Sequence, residues 1–407
     1  MRRIFYPTQG TRVWPSKNSG AIGSLRTIVA IDNEIQGKND ITIFSLYGEK
    51  EEEENRFNKY THYIYKKVPR GIYCLQKIVD AFAGKSSKMM FLKKNKILIG
   101  LYFLFASAKN MHDNEYDQVV IDGVPALMWT LALFGNQKRY KNKVCYIGHN
   151  EVKHFCKSER LFSNCNKVVG VSNFIAGYFA KKTKIEKKCE VFSIKSPVDP
   201  ICFIETDDKR DAYKSELKAL YNLNDEKVVL YVGRVVEEKG VRELVNAVQN
   251  FSEGVVLIIC GSSAFKNAQK EKFLQELEKT ALEGKVRTIF TGYIDHENLK
   301  KYYALADVLV MPSKCNEAAG LVAIEALCNG TPVIASDVGG VREYLEGKAC
   351  KLISIESLEE NLLIELNCVL KDENLKKRAR KEMNQNRKLF SIERYCDEFQ
   401  TKVYGVE

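Results

Sequence analysis

Two acidic side chains, Glu317 and Glu325, lie eight positions apart in a stretch that is otherwise rich in small and apolar residues. A carboxylate in so apolar a helix is costly unless it meets a polar partner, and sugar hydroxyls are good partners. The small residues Ala319 and Gly320 would let a ligand lie against the helix N-terminus, where free N–H groups and the helix dipole favour an anion. The alternative is that Glu317 only complements the helix dipole and that Glu325 is an exposed helix residue.

A second polar group follows the predicted strand Val228–Val232. Gly233 allows a ligand to approach the backbone, Arg234 offers a planar fork of donors for phosphate oxygens, and Lys239 adds a mobile positive charge. Two cations at the carboxyl end of a strand, beside the start of a helix, suit a diphosphate. The alternative is a solvated loop in which the arginine and the lysine pair with the two glutamates between them.

Short apolar runs alternate with amphipathic stretches along the chain, and we expect these elements to position the polar residues. Several of the apolar runs are continuous and rich in β-branched residues, as in parallel strands that are covered on both faces. The predicted strands of the first half are Arg3–Tyr6, Ile41–Tyr47, Gln118–Ile121, Lys143–Ile147 and Lys167–Val171. Those of the second half are Val228–Val232, Val255–Cys260, Thr288–Thr291, Val308–Met311 and Pro332–Ala335. The predicted helices include Asp207–Tyr221, Val241–Asn250, Lys270–Glu283 and Gly320–Cys328. The pattern predicts an α/β protein with two doubly wound, Rossmann-like domains that face each other across a deep cleft.

The domain boundary is predicted near Ser196–Pro200, where two prolines interrupt any regular element. This gives a first domain over residues 1–198 and a second over residues 199–407. The last helix, over about residues 386–407, is expected to be able to pack back on the first domain.

The net charge of +11 is unevenly distributed along the chain. Residues 1–200 carry 33 Lys and Arg against 18 Asp and Glu, a balance of +15, whereas residues 201–407 carry 30 against 34, or −4. The basic half predicts an anionic partner, such as a membrane surface, a phosphorylated substrate or nucleic acid, with simple solubility as the alternative. The basic residues are spread over many segments without a nucleic-acid motif, which disfavours nucleic acid.

Cysteine usage and the distribution of apolar residues predict the location of the protein. The twelve cysteines form no C-x-x-C pair and no zinc-type cluster with histidine, and the first ten residues contain no apolar run. The most apolar run, Ile97–Ala106, has ten residues, whereas a membrane-spanning helix needs about 20. We therefore expect a cytosolic protein with reduced thiols.

The two motifs together resemble the retaining glycosyltransferases of family 4, which have the GT-B fold and include enzymes of bacterial polysaccharide assembly. The resemblance rests on a glycine–arginine…lysine–glycine element and on two glutamates with seven residues between them, the E-x7-E motif. The matching residues are Gly233, Arg234, Lys239, Gly240, Glu317 and Glu325, and the likeness continues through Gly330, Thr331–Val333, Gly339, Gly340 and Glu343. It is strong over residues 227–344 and holds only in outline elsewhere.

The resemblance implies a role for each matching residue. Arg234 and Lys239 would hold the diphosphate of the donor and stabilise the leaving nucleotide, Glu325 would accept hydrogen bonds from the ribose, and Glu317 would face the donor sugar. The residues to which it assigns donor binding are Gly20, Gly233, Arg234, Lys239, Gly261, Ser262, Asn316, Glu317, Ala319, Gly320, Leu321 and Glu325. Those to which it assigns a catalytic role are Glu317, His149, Arg234 and Lys239.

The first half departs further from the family pattern. The family has a paired-glycine loop after its first strand, and here Gly20 is present while Ser19 replaces its partner. His149 matches the histidine that the family places near the donor sugar, with a structural histidine as the alternative. Ser172 is predicted to cap a helix rather than to contact a ligand.

The resemblance implies a metal-independent, retaining transfer of a hexosyl or N-acetylhexosaminyl group from a nucleotide-diphosphate donor, with UDP the expected nucleotide. The chain contains no D-x-D triplet, which other transferases use to hold a metal ion, so no metal or other cofactor is expected. The implied acceptor is a lipid-linked saccharide at the inner face of the plasma membrane, as in capsule or lipopolysaccharide synthesis, with the protein attached peripherally to anionic lipid. A nucleotide-sugar epimerase and a non-catalytic binding protein of the same fold are the alternatives.

Overall fold

The computed structural model describes residues 1–8, 14, 20–48, 58–82, 96–251, 254–262 and 268–405. The chain divides into two compact units: unit 1 comprises Met1–Ile194 with Tyr395–Glu407, and unit 2 comprises Lys195–Arg394. Within the described ranges, none of the helices combines the length and the apolar character that crossing a membrane requires.

Unit 1 is built on a parallel sheet with the strand order β3-β2-β1-β4-β5-β6-β7. These strands are β1 (Arg2–Pro7), β2 (Asn39–Leu46), β3 (Thr61–Lys66), β4 (Gln118–Asp122), β5 (Val144–Gly148), β6 (Cys165–Gly170) and β7 (Glu190–Ser193). The order reverses between β1 and β4, which pair directly. In open α/β sheets ligands bind beyond the strand ends at such a switch point.

Unit 2 has a parallel sheet with the order β10-β9-β8-β11-β12-β13, which is the strand order of a dinucleotide-binding Rossmann sheet. Its strands are β8 (Lys227–Val232), β9 (Val255–Cys260), β10 (Thr288–Gly292), β11 (Val308–Met311), β12 (Val333–Ser336) and β13 (Cys350–Ile353). The switch point lies between β8 and β11, where Leu309 is in register with Leu230.

Helices connect the strands in both units. In unit 1 they are α1 (Gly20–Gln36), α2 (Arg70–Phe82), α3 (Ile97–Asp113), α4 (Asn136–Arg139) and α5 (Asn173–Lys182). Those of unit 2 are α6 (Asp207–Leu220), α7 (Val241–Val248), α8 (Ala268–Glu283), α9 (Leu299–Leu305), α10 (Leu321–Cys328), α11 (Val341–Leu345), α12 (Leu358–Val369) and α13 (Glu373–Leu389). Short 3-10 helices cover Pro125–Ala132, Glu159–Asn164, Pro200–Cys202, Glu237–Lys239 and His296–Asn298.

The end of the chain returns to unit 1 through α14 (Ile392–Glu398) and the π-helical turn Phe399–Val403. Buried polar side chains hold it there. The Asn39 side-chain amide donates to Gln400 Oε1 at 2.9 Å, and Gln118 Nε2 donates to the carbonyl of Val403 at 3.0 Å. These bonds satisfy polar groups that burial would otherwise penalise.

Three strands, β3, β7 and β13, are absent from the sequence-based prediction, and the reason is their position. Each lies at an edge of its sheet. The side chains of β3 and β7 are partly exposed and those of β13 are mostly half-buried, whereas β9, β11 and β12 are buried throughout. Edge strands covered on fewer sides do not need the continuous apolar run that identifies a central parallel strand. The predicted Ser172 cap is confirmed, because its hydroxyl accepts the N–H of Ile175.

Candidate active site

The loops that follow β8 and β11 meet at the switch point of unit 2. The backbone N–H of Lys314, in the second loop, donates to the carbonyl of Glu238, in the first, at 2.9 Å. Gly240 has a φ of 68°, and a Cβ at this position would lie 1.8 Å from the carbonyl oxygen of Pro312. Only glycine allows this approach. The fold therefore joins the two motifs that the sequence singles out.

An ion pair between Lys239 and Glu317 lies at the centre of this junction. Lys239 Nζ is 2.5 Å from Glu317 Oε1, and the two side chains are only 17% and 19% exposed. The hydroxyl of Ser313 donates to the same carboxylate oxygen at 2.5 Å. The main chain of Glu317 is also fixed, because its carbonyl accepts the N–H of Gly340 at 2.8 Å. The predicted phosphate-binding lysine and sugar-binding glutamate are thus direct neighbours.

A cavity of about 120 Å³ opens at this ion pair. Its polar walls are Lys239, Ser313 and Glu317, and Gly233 and Gly320 contribute backbone. The remaining lining residues are Tyr231, Val232, Met311, Leu321 and Val322. The cavity therefore combines a cation, a carboxylate and backbone groups with an otherwise apolar lining, as small-ligand sites do.

Helix α10 begins at this cavity. Gly320 precedes it with a φ of 71°, and its carbonyl accepts the N–H of Ala323 at 3.0 Å. Helical geometry leaves the first N–H groups, including those of Leu321 and Val322, without partners inside the helix. Together with Lys239 they form a positively polarised wall, so this end of the cavity suits an anion.

Arg234 occupies a more open position than Lys239. Its guanidinium pairs with Glu238 at 3.2 Å, and both side chains are about half exposed. The salt bridge that the sequence offered as the alternative is therefore present for Arg234. An exposed pair of this kind contributes little to stability, so it leaves the guanidinium available to a competing anion.

The loop after β9 lies beside the loop after β8. The N–H of Gly233 donates to the carbonyl of Cys260 at 3.0 Å, and the N–H of Val235 donates to Ser262 at 3.2 Å. Gly261 and Ser262 are thereby held next to Gly233. Asn316 and Ala319 lie in the loop between β11 and α10, and Ala319 is buried. The predicted donor-binding residues of unit 2 thus gather at one edge of its sheet.

Glu325 is buried inside α10, which excludes the alternative that it is an exposed helix residue. Tyr303 donates its hydroxyl to Glu325 Oε2 at 2.7 Å, and His296 Nε2 lies 3.0 Å from Oε1. Its hydrogen bond to Glu325 raises the pKa of His296. Neither His296 nor Tyr303 is among the predicted residues. One feature of the sequence could have identified His296: it follows the carboxyl end of β10, where ligands bind in open α/β sheets.

Cys202, His296 and Glu325 form a group whose residue types could hold a metal ion, and their ligand atoms lie within 4.8 Å of one another. A thiolate, an imidazole and a carboxylate are the ligands that zinc prefers. Here protein groups already satisfy them. Tyr303 and His296 engage the carboxylate, the Cys202 thiol donates to the carbonyl of Asp199 at 3.1 Å, and burial raises the pKa of that thiol.

Unit 1 has a buried charged cluster at its own switch point, centred on Asp122 at the end of β4. His149 Nε2 lies 2.5 Å from Asp122 Oδ1, and Arg26 Nε lies 2.7 Å from Oδ2, which also accepts the hydroxyl of Tyr6. Burial alone would raise the pKa of Asp122, but Arg26 and His149 hold it well below its usual range. An ionised Asp122 can only accept, so His149 Nε2 carries a proton.

Of the predicted residues of unit 1, Gly20 is the first residue of α1, and His149 directly follows β5. Tyr6, Arg26 and Asp122 are missing from the prediction. The loop that precedes Gly20, including Ser19, lies outside the described residues, as do the lysines of residues 83–95.

Residues 213–388, most of unit 2, match the family model described as "Glycosyl transferases group 1". This part of unit 2 is therefore similar to the group 1 glycosyl transferases. Over its full length the chain is similar to the crystal structure of HepE from Anabaena in complex with UDP and glucose, with a TM-score of 0.68, 16% identity and complete coverage of both chains. The two parallel-sheet α/β units match those of GT-B glycosyltransferases, so the predicted fold of two doubly wound, Rossmann-like domains is confirmed.

Two curated relatives match parts of the chain. An uncharacterized glycosyltransferase of Methanocaldococcus jannaschii is 26% identical over 235 residues, which cover 54% of this chain and 58% of the relative. The lipopolysaccharide 1,2-N-acetylglucosaminetransferase of Salmonella typhimurium is 26% identical over 169 residues, which cover 40% of this chain and 44% of that enzyme. The match thus spans less than two thirds of either relative.

Proposed function

We propose that the chain is a retaining, metal-independent glycosyltransferase that moves a hexosyl or N-acetylhexosaminyl group from a nucleotide-diphosphate sugar. The observation that carries the proposal is the Lys239–Glu317 ion pair, which lies in a cavity at the N-terminus of α10. A cation and a helix N-terminus suit the diphosphate, and the carboxylate suits the sugar hydroxyls. The ion pair of Lys314 with Glu243 also lines a cavity at a helix N-terminus, that of α12, but Glu359 and Glu360 line the same cavity and disfavour an anion there.

The ion pair suggests how the donor is engaged. The diphosphate of the donor competes with Glu317 for the ammonium of Lys239, and Arg234 adds a second cation after releasing Glu238. Glu317 is then free to accept hydroxyls of the sugar. As the bond between the sugar and the diphosphate breaks, negative charge grows on the phosphate and positive charge on the sugar ring. Lys239 and Glu317 stabilise these two charges respectively.

The remaining assignments extend this proposal. UDP is the proposed nucleotide, because a structural neighbour is in complex with UDP and glucose. A lipid-linked saccharide at the inner membrane face is the proposed acceptor, because a relative is named as a lipopolysaccharide N-acetylglucosaminetransferase.

Glu325 is proposed to contact the ribose, with His296 and Tyr303 orienting its carboxylate. The basic balance of residues 1–200 supports peripheral attachment to an anionic membrane.

A donor screen tests the proposal. Nucleotide release is measured from UDP-, GDP-, ADP- and dTDP-sugars, with and without detergent-extracted lipid acceptors. We expect release from one nucleotide class, dependent on acceptor, and unchanged by EDTA. Conversion of the donor to an isomer without acceptor would instead identify an epimerase. Activity that EDTA abolishes and magnesium or manganese restores would refute the metal-independent mechanism.

A further inference from the structure

Helix α2 of unit 1 exposes several large apolar side chains, while Ile72 and Val79 are half-buried and a polar residue is fully buried. Tyr73, Leu75 and Ile78 are 47%, 56% and 51% exposed. Among the described side chains of α2 only Gln76 is buried, where it accepts the N–H of Leu98 at 3.0 Å. A helix that packs only against its own protein shows the opposite arrangement, with apolar residues inside.

The neighbouring helix α3 is apolar on two sides. Its buried side includes Ile99 and Phe103, which belong to the core. Leu101 and Phe105, one turn apart, are 57% and 50% exposed. Phe105 forms an edge-to-face pair with Phe134, which is also exposed, at a ring-centroid distance of 5.1 Å. The Gln76–Leu98 bond joins α3 to α2, so these apolar groups belong to one region of unit 1.

This region is strongly basic. Residues 61–113 carry ten Lys and Arg against two acids, Asp80 and Asp113, which gives +8 of the +11 of the whole chain. The described cations are all exposed: Lys66, Lys67, Arg70, Lys77, Lys96 and Lys109. Both acids are already engaged, since Asp80 accepts from Gln76 at 2.9 Å and Asp113 pairs with Lys109 at 3.2 Å.

We propose that the exposed apolar side chains on the outer faces of α2 and α3, namely Leu75, Ile78, Leu101 and Phe105, bind the surface of an anionic lipid bilayer. The apolar groups would enter the interface between headgroups and acyl chains, and the surrounding lysines would remain at the phosphates. Cations near such a surface strengthen the attachment, because they are attracted to the anionic headgroups.

The positive charge of this region favours a bilayer over a second copy of this chain as the partner of the surface. A two-fold contact through this surface would bring the described charges of the region, six cations against two acids or +4, against an equal charge, which opposes association. An anionic bilayer complements the same charge. The inference rests on the proposed function in that it specifies where that enzyme meets its membrane. Vesicle binding needs neither donor nor acceptor, so either proposal can fail without the other.

Co-sedimentation of the full chain with vesicles tests the inference. The vesicles contain phosphatidylcholine alone or phosphatidylcholine mixed with phosphatidylglycerol. We expect binding to the mixed vesicles only, and a decrease with added salt because the electrostatic part is screened. Equal binding to both kinds of vesicle, or binding to neither, would overturn the inference.

Two double variants test whether the exposed apolar side chains of α2 and α3 form the membrane-binding surface. Leu75→Ser with Ile78→Ser, and Leu101→Ser with Phe105→Ser, should each lower the partition coefficient by about tenfold or more, because each removes apolar area that enters the lipid. The matched control is Leu282→Ser with Ile364→Ser, two residues of unit 2 that are 85% and 52% exposed. It should leave the partition coefficient unchanged.

The thermal midpoint and nucleotide binding of each variant report on folding. If both α2–α3 variants fold and bind vesicles like the wild-type chain, or if the control loses binding equally, the inference is wrong. Light scattering measures self-association. If the wild-type chain is a dimer and either α2–α3 variant is a monomer, the surface is a protein interface. This result would also overturn the bilayer inference.

Discussion

Lys239 and Glu317 are 78 positions apart in the sequence, yet the ammonium of one lies 2.5 Å from a carboxylate oxygen of the other. The parallel pairing of β8 with β11 causes this proximity, because it places the two following loops side by side. Ser313 and the N–H of Gly340 fix the carboxylate and the main chain of Glu317. The pair is therefore a fixed feature of unit 2, and the diphosphate of the proposed donor would replace Glu317 as the anionic partner of Lys239.

Glu317→Gln and Glu325→Gln are expected to impair catalysis differently. Glu317 borders the cavity and is proposed to face the ring where positive charge develops, so its loss should mainly lower kcat. Glu325 is proposed to hold the ribose in ground and transition states alike, so its loss should mainly raise KM for the donor. A charged hydrogen bond of this kind contributes about 1.5–3 kcal/mol, or roughly 10- to 150-fold.

Steady-state kinetics with varied donor checks this assignment, and calorimetry with free UDP separates binding from chemistry. UDP should bind Glu317→Gln almost normally and Glu325→Gln poorly. Equal weakening in both variants, or the reverse order, would mean that the two carboxylates are assigned wrongly.

The ion pair of His296 with Glu325 predicts a pH-dependent contribution to stability. The pKa of His296 is raised above its ordinary 6.5 in the folded chain. A raised pKa contributes stability that is fully present below the unfolded-state value and is lost as the pH rises through the folded-state value. The Tm of the wild-type chain should therefore exceed that of His296→Gln most below about pH 6, and the gap should narrow as the pH rises through the folded-state pKa of His296.

Thermal unfolding followed by circular dichroism measures this difference. His154→Gln, at an exposed position of unit 1, is the control and should show no such trend. A gap between wild type and His296→Gln that widens with rising pH would contradict the predicted sign.

Asp122→Asn is expected to destabilise unit 1 strongly. The change leaves Arg26 buried without its anionic partner, and breaking a buried ion pair in this way costs about 3–5 kcal/mol. The pKa of Asp122 is depressed, so its contribution is present above the ordinary value of 3.8 and is lost as the pH falls. The difference between wild type and variant should therefore stay constant from neutral pH down to about pH 5 and shrink as the pH falls below about 4.

Chemical denaturation at several pH values measures the free energy of unfolding. Asp113→Asn is the control, since its pair with Lys109 is exposed and contributes at most about 1 kcal/mol. A loss for Asp122→Asn no larger than that of the control would show that the cluster does not stabilise unit 1.

The sequence was sufficient to predict the central strands and the polar loops after β8 and β11, because both follow from local patterns. A buried parallel strand needs a continuous apolar run, and the residues after β8 and β11 form short motifs. Gly233, Lys239 and Glu317 could therefore be named before the fold was known.

Contacts between distant elements could not be predicted in the same way. Asp122 is 96 positions from Arg26 and 116 from Tyr6, and neither spacing carries a local signal. His296 likewise meets Glu325 only because the carboxyl end of β10 and helix α10 lie close together in the folded unit. Edge strands such as β7 escaped prediction because partial exposure removes their apolar run.

Calorimetric titration of UDP, GDP, ADP and dTDP into the wild-type chain and Lys239→Gln tests the central claim most directly. We expect at least one nucleotide, with UDP foremost, to bind the wild type and to bind Lys239→Gln about 10- to 150-fold more weakly. Lys314→Gln, in the neighbouring loop where Lys314 pairs with Glu243 at 2.6 Å, should bind like the wild type. Failure of all four nucleotides to bind the wild type, or equal affinity in Lys239→Gln, would contradict a diphosphate site at Lys239 and Glu317.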